Sequence, residues 1–204
     1  MIRMIEYMIL GYLSGSVLYA RVFSRLLGKD NIYDRSKDRN PGTANAFVYG
    51  GLFCGILTLI CELSKAILPV YLYVHRDMAL MAEPGIIPVL AAPVIGHIFS
   101  AFNHLHGGKG IAATFGCLLG LLPYGRPLLL FAAIFLFFSL VVVIHPNFYR
   151  TIVTYLCTAI GMYLVTGIPA LSVGFLLITV AVLIRMHQSN EERERLRVGW
   201  LWMH

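Results

Sequence analysis

Residues 96–110 read Gly96-His97-Ile98-Phe99-Ser100-Ala101-Phe102-Asn103-His104-Leu105-His106-Gly107-Gly108-Lys109-Gly110. The stretch interrupts a region that is otherwise apolar. It opens on a histidine and closes with three glycines around one lysine. Glycines let a backbone turn tightly with its N–H groups open to a ligand. A concave row of such N–H groups attracts anions, and a lysine beside it adds a full positive charge. Two readings stand: a phosphate cradle at a membrane surface, or a polar turn joining two helices. Gly-Gly-Lys-Gly lacks the full spacing of a nucleotide P-loop, so these four residues alone do not choose between them.

The flanks decide the fold class. Of 204 residues, 58% are hydrophobic and 13% charged, with a mean hydropathy of +0.76. A soluble domain would carry about 25% charged residues. Long apolar runs recur along the whole chain, which predicts an all-α integral membrane protein. About seven spans are expected, at 4–27, 51–74, 85–103, 110–123, 127–144, 151–166 and 168–186. The fourth and sixth are short for a bilayer that takes about 20 helical residues, so tilted or re-entrant segments, or six spans, are the alternatives. The first run is as long as a span and has no small-residue cleavage site, so it reads as a span and not as a cleaved leader. Lone prolines and glycines punctuate the joins, and residues 1–204 read as one domain.

Cys54, Cys61, Cys117 and Cys157 all lie in apolar runs without Cys-x-x-Cys spacing, so they suggest neither a disulfide framework nor a metal site. The net charge of +6 fits loops facing anionic lipid headgroups better than it fits nucleic acid. With the N-terminus outside, eleven of the sixteen Lys and Arg residues fall on the cytoplasmic side and three outside. Arg21 and Lys65 lie within spans. That asymmetry predicts an N-terminus outside, a C-terminus in the cytoplasm and an odd number of spans. Three polar segments then share the cytoplasmic face: 28–50, 103–110 and the tail 187–204.

In the first segment, Asn40-Pro41-Gly42-Thr43-Ala44-Asn45 is rich in turn formers and small donors. Asn40, Thr43 and Asn45 can donate to phosphate oxygens, Gly42 allows close approach, and Lys37 and Arg39 supply charge. As a unit it reads as functional; the charges alone could equally be a solvated basic loop. Glu62 and Lys65 lie inside the second span at i, i+3, on one helix face. They are either an ion pair holding the bundle, or a pair whose lysine faces a buried anion. Gly11-x-x-x-Gly15, Gly51-x-x-x-Gly55 and Gly116-x-x-x-Gly120 permit close helix approach. In the tail, a helix continuing from the last span puts His187 and Asn190 on one face, with residues 191–197 reading as a solvated charged end.

Together these pieces resemble the bacterial integral-membrane acyl-phosphate glycerol-3-phosphate acyltransferases, the PlsY family. The resemblance covers most of the chain. It rests on Gly15-Ser16, on Asn40-Pro41-Gly42-Thr43-Ala44-Asn45, on Glu62-Leu63-Ser64-Lys65, on Gly96-His97-Ile98-Phe99 through Gly107-Gly108-Lys109-Gly110, and on His187-x-x-Asn190. It implies transfer of an acyl group from acyl phosphate to the 1-hydroxyl of glycerol 3-phosphate. The products are lysophosphatidic acid and phosphate, in the bacterial plasma membrane, with no metal or other cofactor. It assigns Lys109 and the backbone of Gly107, Gly108 and Gly110 to one phosphate. Asn40, Gly42, Thr43 and Asn45 become neutral donors, Arg39 and Lys65 further substrate contacts, and His187 and Asn190 the groups that orient the glycerol. His97 is either a substrate contact or a structural hydrogen-bonding residue.

Seven positions depart from the family pattern. Lys37-Asp38-Arg39 stands where the family has Gly-Ser-Gly, which puts Asp38 at its serine position, and Val48 stands at an arginine expected to hold phosphate. Ser100, His106 and Ala66 replace a proline, a lysine and a glycine. The departures leave two alternatives open: a divergent paralogue with another substrate or a non-catalytic binding or regulatory role, and a small anion transporter.

Overall fold

The computed structural model describes residues 1–28, 36, 40–190 and 193–200. Among them are nine α-helices: α1 (Ile2–Ser16), α2 (Tyr19–Leu26), α3 (Thr43–Gly50), α4 (Leu52–Val74), α5 (Ile86–Ile98), α6 (Ile111–Leu119), α7 (Arg126–Leu136), α8 (Asn147–Thr166) and α9 (Pro169–Gln188). Three of these, α4, α8 and α9, are long and apolar enough to cross a membrane. At 1.5 Å per residue, the 23 residues of α4 reach about 35 Å. Large apolar side chains cover the exterior, among them Leu52, Phe53, Leu129, Ile160 and Leu164. A surface of that kind suits lipid, where every backbone group must be satisfied within the helix.

The spans at 51–74 and 168–186 fall where expected. Four others differ. The first is two helices, because the chain turns extended at Val17 between α1 and α2. The fourth is the nine-residue α6 followed by turns, about 14 Å of helix, too short to cross alone. The sixth is longer than expected, since α8 begins at Asn147 just after Pro146 and runs twenty residues. The fifth unwinds through a π-turn (Phe137–Val141) into a strand, β1 (Val142–His145). β1 pairs antiparallel with β2 (Arg197–Trp200), His145 opposite Arg197. The chain is therefore not purely α-helical: residues 197–200 form a ribbon strand, while residues 193–197 are exposed, as expected of a solvated charged end. The 28–50 segment, expected as a loop, contains α3.

Glycines set the closest helix contacts. A Cβ at Gly15 would lie 2.2 Å from the carbonyl oxygen of Pro93, and one at Gly96 would lie 2.2 Å from that of Tyr12, so α1 and α5 touch backbone to backbone. Gly116 in α6 and Gly120 just after it come close to α4, where a Cβ would lie 2.6 Å from the Leu63 carbonyl oxygen and 2.9 Å from that of Ile67, respectively. Gly51 works differently: its φ of +86 makes the turn between α3 and α4. The core beneath is aromatic. Phe131, Tyr155 and Phe175 are fully buried, with ring centroids 5.2–6.0 Å apart.

Candidate active site

One cavity of about 490 Å³ collects most of the polar motif residues. Three helices begin on its wall. Gly42 caps α3, Gly110 caps α6 and Pro146 caps α8, and none of the three receives a side-chain cap. The first turn of a helix presents backbone N–H groups without intrahelical partners, and the helix dipole makes that end positive. Thr43, Ala44 and Asn45 line the cavity from α3, Ile111 and Ala112 from α6, and Asn147, Arg150 and Thr151 from α8. Lys109 adds an ammonium ahead of α6. Leu59, Leu63, Phe115, Leu119 and Phe135 line the rest. The cavity thus combines cationic and amide groups with apolar side chains, a lining suited to an anion with a hydrocarbon tail.

The Gly107–Gly110 turn is held by packing as well as by hydrogen bonds. A Cβ at Gly107 would fall 1.7 Å from the carbonyl oxygen of His97, and one at Gly108 would fall 2.2 Å from His97 Nε2. The Gly108 N–H donates to the His97 carbonyl at 3.1 Å. Arg185 donates to the Gly107 carbonyl at 2.8 Å. Gly110 has φ +82, which lets α6 start directly after Lys109. Thr114 fixes that start by donating to the Gly110 carbonyl at 2.9 Å. In the neighbouring loop, Asn45 Nδ2 donates to the Asn40 carbonyl at 2.8 Å. The Gly108 Cβ position lies 3.2 Å from Asn40 Oδ1, so the two loops stand side by side.

Behind this wall is a buried charged cluster. Lys65 Nζ lies 2.7 Å from Glu62 Oε2, and His97 Nδ1 lies 2.9 Å from the same oxygen. Glu62 Oε1 accepts the N–H of Tyr19 at 3.1 Å, and Lys65 donates to the carbonyl of Val17. The pair therefore fastens the break between α1 and α2. It also holds the His97 ring with Nε2 toward Gly108. Such a cluster persists only where each charge meets a partner.

A family profile described as glycerol-3-phosphate acyltransferase matches residues 5–196. The chain belongs to the glycerol-3-phosphate acyltransferase family. The protein of that name from Methylococcus capsulatus is 33% identical over 198 residues, covering 92% of each chain. The one from Legionella pneumophila (strain Corby) is 38% identical over 112 residues, 54% of this chain, and the match spans only 39% of that relative's length. The crystal structure of PlsY (YgiH), an integral membrane glycerol 3-phosphate acyltransferase in its glycerol 3-phosphate form, has a TM-score of 0.76 at 19% identity, covering 91% of this chain and 88% of that one. Its lysphosphatidic acid form gives 0.71 at 20% identity. At these identities the likeness is one of fold.

Within this acyltransferase fold, Asn40, Gly42, Thr43, Asn45, His97, Lys109 and Gly110 all line the cavity. Gly107 and Gly108 stand behind it, buried against His97, where close packing requires glycine. Lys65 lies behind the wall too, occupied by Glu62, His97 and Val17, which is the ion-pair reading of the two open above. His187 and Asn190 are exposed at the end of α9 and do not line the cavity; Arg185, two residues before His187, is the tail-end group that reaches the glycine turn. The side chain of Arg193 lies 5.0 Å over the Phe148 ring, which keeps this segment beside the first turn of α8. Arg39, Asp38 and Lys37 lie outside the described residues. Val48 is 73% exposed on α3, away from the cavity lining.

The motif reading missed Asn147, Arg150 and Thr151. Arg150 counted only as a topology charge. The signal that could have found it is its i, i+3, i+4 spacing with Asn147 and Thr151 just after Pro146, a helix start with polar groups on one face.

Proposed function

We propose that the chain moves a fatty acyl group from acyl phosphate to the 1-hydroxyl of glycerol 3-phosphate, in phospholipid synthesis at the bacterial plasma membrane. The supporting observation is one cavity lined by Lys109, Arg150, three helix starts without side-chain caps and several apolar side chains. The hydroxyl oxygen attacks the acyl carbonyl carbon, and the bond from that carbon to the phosphate oxygen breaks. The phosphate leaves with the electron pair and takes up the hydroxyl proton. Acyl phosphate is already activated, so neither a covalent nucleophile nor a cofactor is required. The protein must instead hold two mutually repelling anions in contact and stabilise charge on the leaving phosphate.

Lys109, with the N–H groups at the start of α6, binds the acceptor's phosphate alongside Asn40 and Asn45. Gly42 and Thr43 complete that wall, and His97 orients it. His187 and Asn190, beside the cavity's α8 edge, orient the glycerol from outside. Their alanine variants should raise the KM for glycerol 3-phosphate, and unchanged values would remove them from the site. The excess of lysine and arginine in the loops supports an N-terminus outside and a cavity facing the cytoplasm. An anion transporter would need a polar path across the bundle. The mid-depth ionisable groups Glu62, Lys65 and His97 instead satisfy one another.

The test is phosphate release by purified protein given palmitoyl phosphate and glycerol 3-phosphate. Release that depends on both substrates supports the reading. Well-folded protein that releases none overturns it and favours a paralogue with another substrate.

A further inference from the structure

Resting on that reading, we propose that Arg150 is a second phosphate anchor: it binds the phosphoryl group of the acyl donor while Lys109 binds the acceptor's phosphate. Two substrates that each carry a phosphate must meet in one cavity. Among its described lining residues, Lys109 and Arg150 are the permanently cationic side chains, and none is acidic. They stand on different walls. Lys109 belongs to the glycine turn packed beside the Asn40–Asn45 loop. Arg150 belongs to α8, which packs against α7, the helix that carries Phe135 of the apolar lining.

In an acyl phosphate, the phosphoryl group is joined directly to the carbonyl that heads the chain. An acyl chain lying against Phe135, on the helix that packs against α8, brings its headgroup to the α8 wall. There a guanidinium meets it. A guanidinium presents planar, paired donors that match phosphate oxygens. Asn147 Oδ1, one turn earlier, accepts from Arg150 Nη2 and fixes the fork in place. The Thr151 hydroxyl stands next to it on the same wall. The assignment also answers the loss at Val48: the cavity has a guanidinium, carried by another helix.

The experiment uses the full chain in detergent or lipid mesophase, with Arg150→Gln and Arg150→Lys. Arg150→Gln should raise the KM for palmitoyl phosphate by about tenfold or more, the loss expected for a hydrogen bond to a charged group. The KM for glycerol 3-phosphate should change little. Arg150→Lys should recover part of the loss, since it keeps the charge without the fork; if the glutamine variant fails to fold, the lysine variant alone should show the same selective rise. An unchanged KM for palmitoyl phosphate, or a rise confined to glycerol 3-phosphate, overturns the proposal. Calorimetric binding of inorganic phosphate to the resting protein provides a readout without turnover, and Arg150→Gln should weaken it. Wild-type protein that binds phosphate through Arg150 yet releases none from the substrates would sink the acyltransferase reading and leave the anchor standing. Turnover that ignores Arg150 would do the reverse.

Discussion

The hydroxyl of Tyr155 donates to Thr114 Oγ1 at 2.8 Å, and Thr114 Oγ1 donates in turn to the carbonyl of Gly110 at 2.9 Å. This short relay ties α8 to the residue that starts α6. Both walls of the cavity, one with Arg150 and one with Lys109, are thereby referenced to each other. Tyr155→Phe removes one buried hydrogen bond, worth about 1 kcal/mol. In a domain of this size the melting temperature should fall by about 2–4 °C. The KM for at least one substrate should rise as the walls lose register. Thermal unfolding in detergent, run beside steady-state kinetics, checks both.

Lys109→Ala removes a cation that is only half-buried, so the fold should survive. Activity should not. Loss of a charge-assisted hydrogen bond to the acceptor's phosphate should lower kcat/KM for glycerol 3-phosphate by about tenfold or more. Phosphate release reads this directly, and a loss under tenfold would move Lys109 out of the site.

Glu62→Gln should act first on stability. Both Glu62 and Lys65 are buried, and removing one member of a buried pair costs about 3–5 kcal/mol, because the other charge is left unbalanced. Glu62→Gln/Lys65→Met should recover much of that loss. A single variant as stable as the wild type in chemical or thermal unfolding would show that the pair does not fasten the α1–α2 break.

Gly15→Ala and Gly161→Ala are the same chemical change in opposite settings. At Gly15 the new methyl would sit 2.2 Å from the Pro93 carbonyl oxygen, so α1 and α5 must separate, at about 1–3 kcal/mol. At Gly161 it would meet only Leu130 side-chain atoms at 3.4 Å or beyond. There the better helix propensity of alanine should dominate, worth up to about 1 kcal/mol. Melting temperatures of the two variants should move in opposite directions.

Much of this architecture is legible in the sequence because lipid imposes a simple code. Runs of apolar residues mark α4 and α9 almost to the residue, and the Asn40–Asn45 and Lys109–Gly110 motifs fall on one cavity. What escaped reading depends on contacts that a run of hydropathy does not encode. The break at Val17 exists because Lys65 and Glu62, more than forty residues away, take up the backbone groups the break exposes. The ribbon of Val142–His145 with Arg197–Trp200 pairs segments more than fifty residues apart. Arg150 hides for a related reason: a lone arginine at a span edge carries the same signature whether it marks topology or binds a substrate. Only the return of α8 to the start of α6 separates the two.

The β1–β2 ribbon has a consequence for how the protein is made. β1 ends at His145, and Pro146 and Asn147 lead directly into the turn that presents Arg150. The strand that steadies β1 lies at residues 197–200, more than fifty residues further along the chain. The α8 wall therefore takes its final position only after those residues have been made, well after the wall carrying Lys109. The site is assembled in two instalments, and a nascent chain stalled before residue 197 would hold one cation in place and the other unsecured.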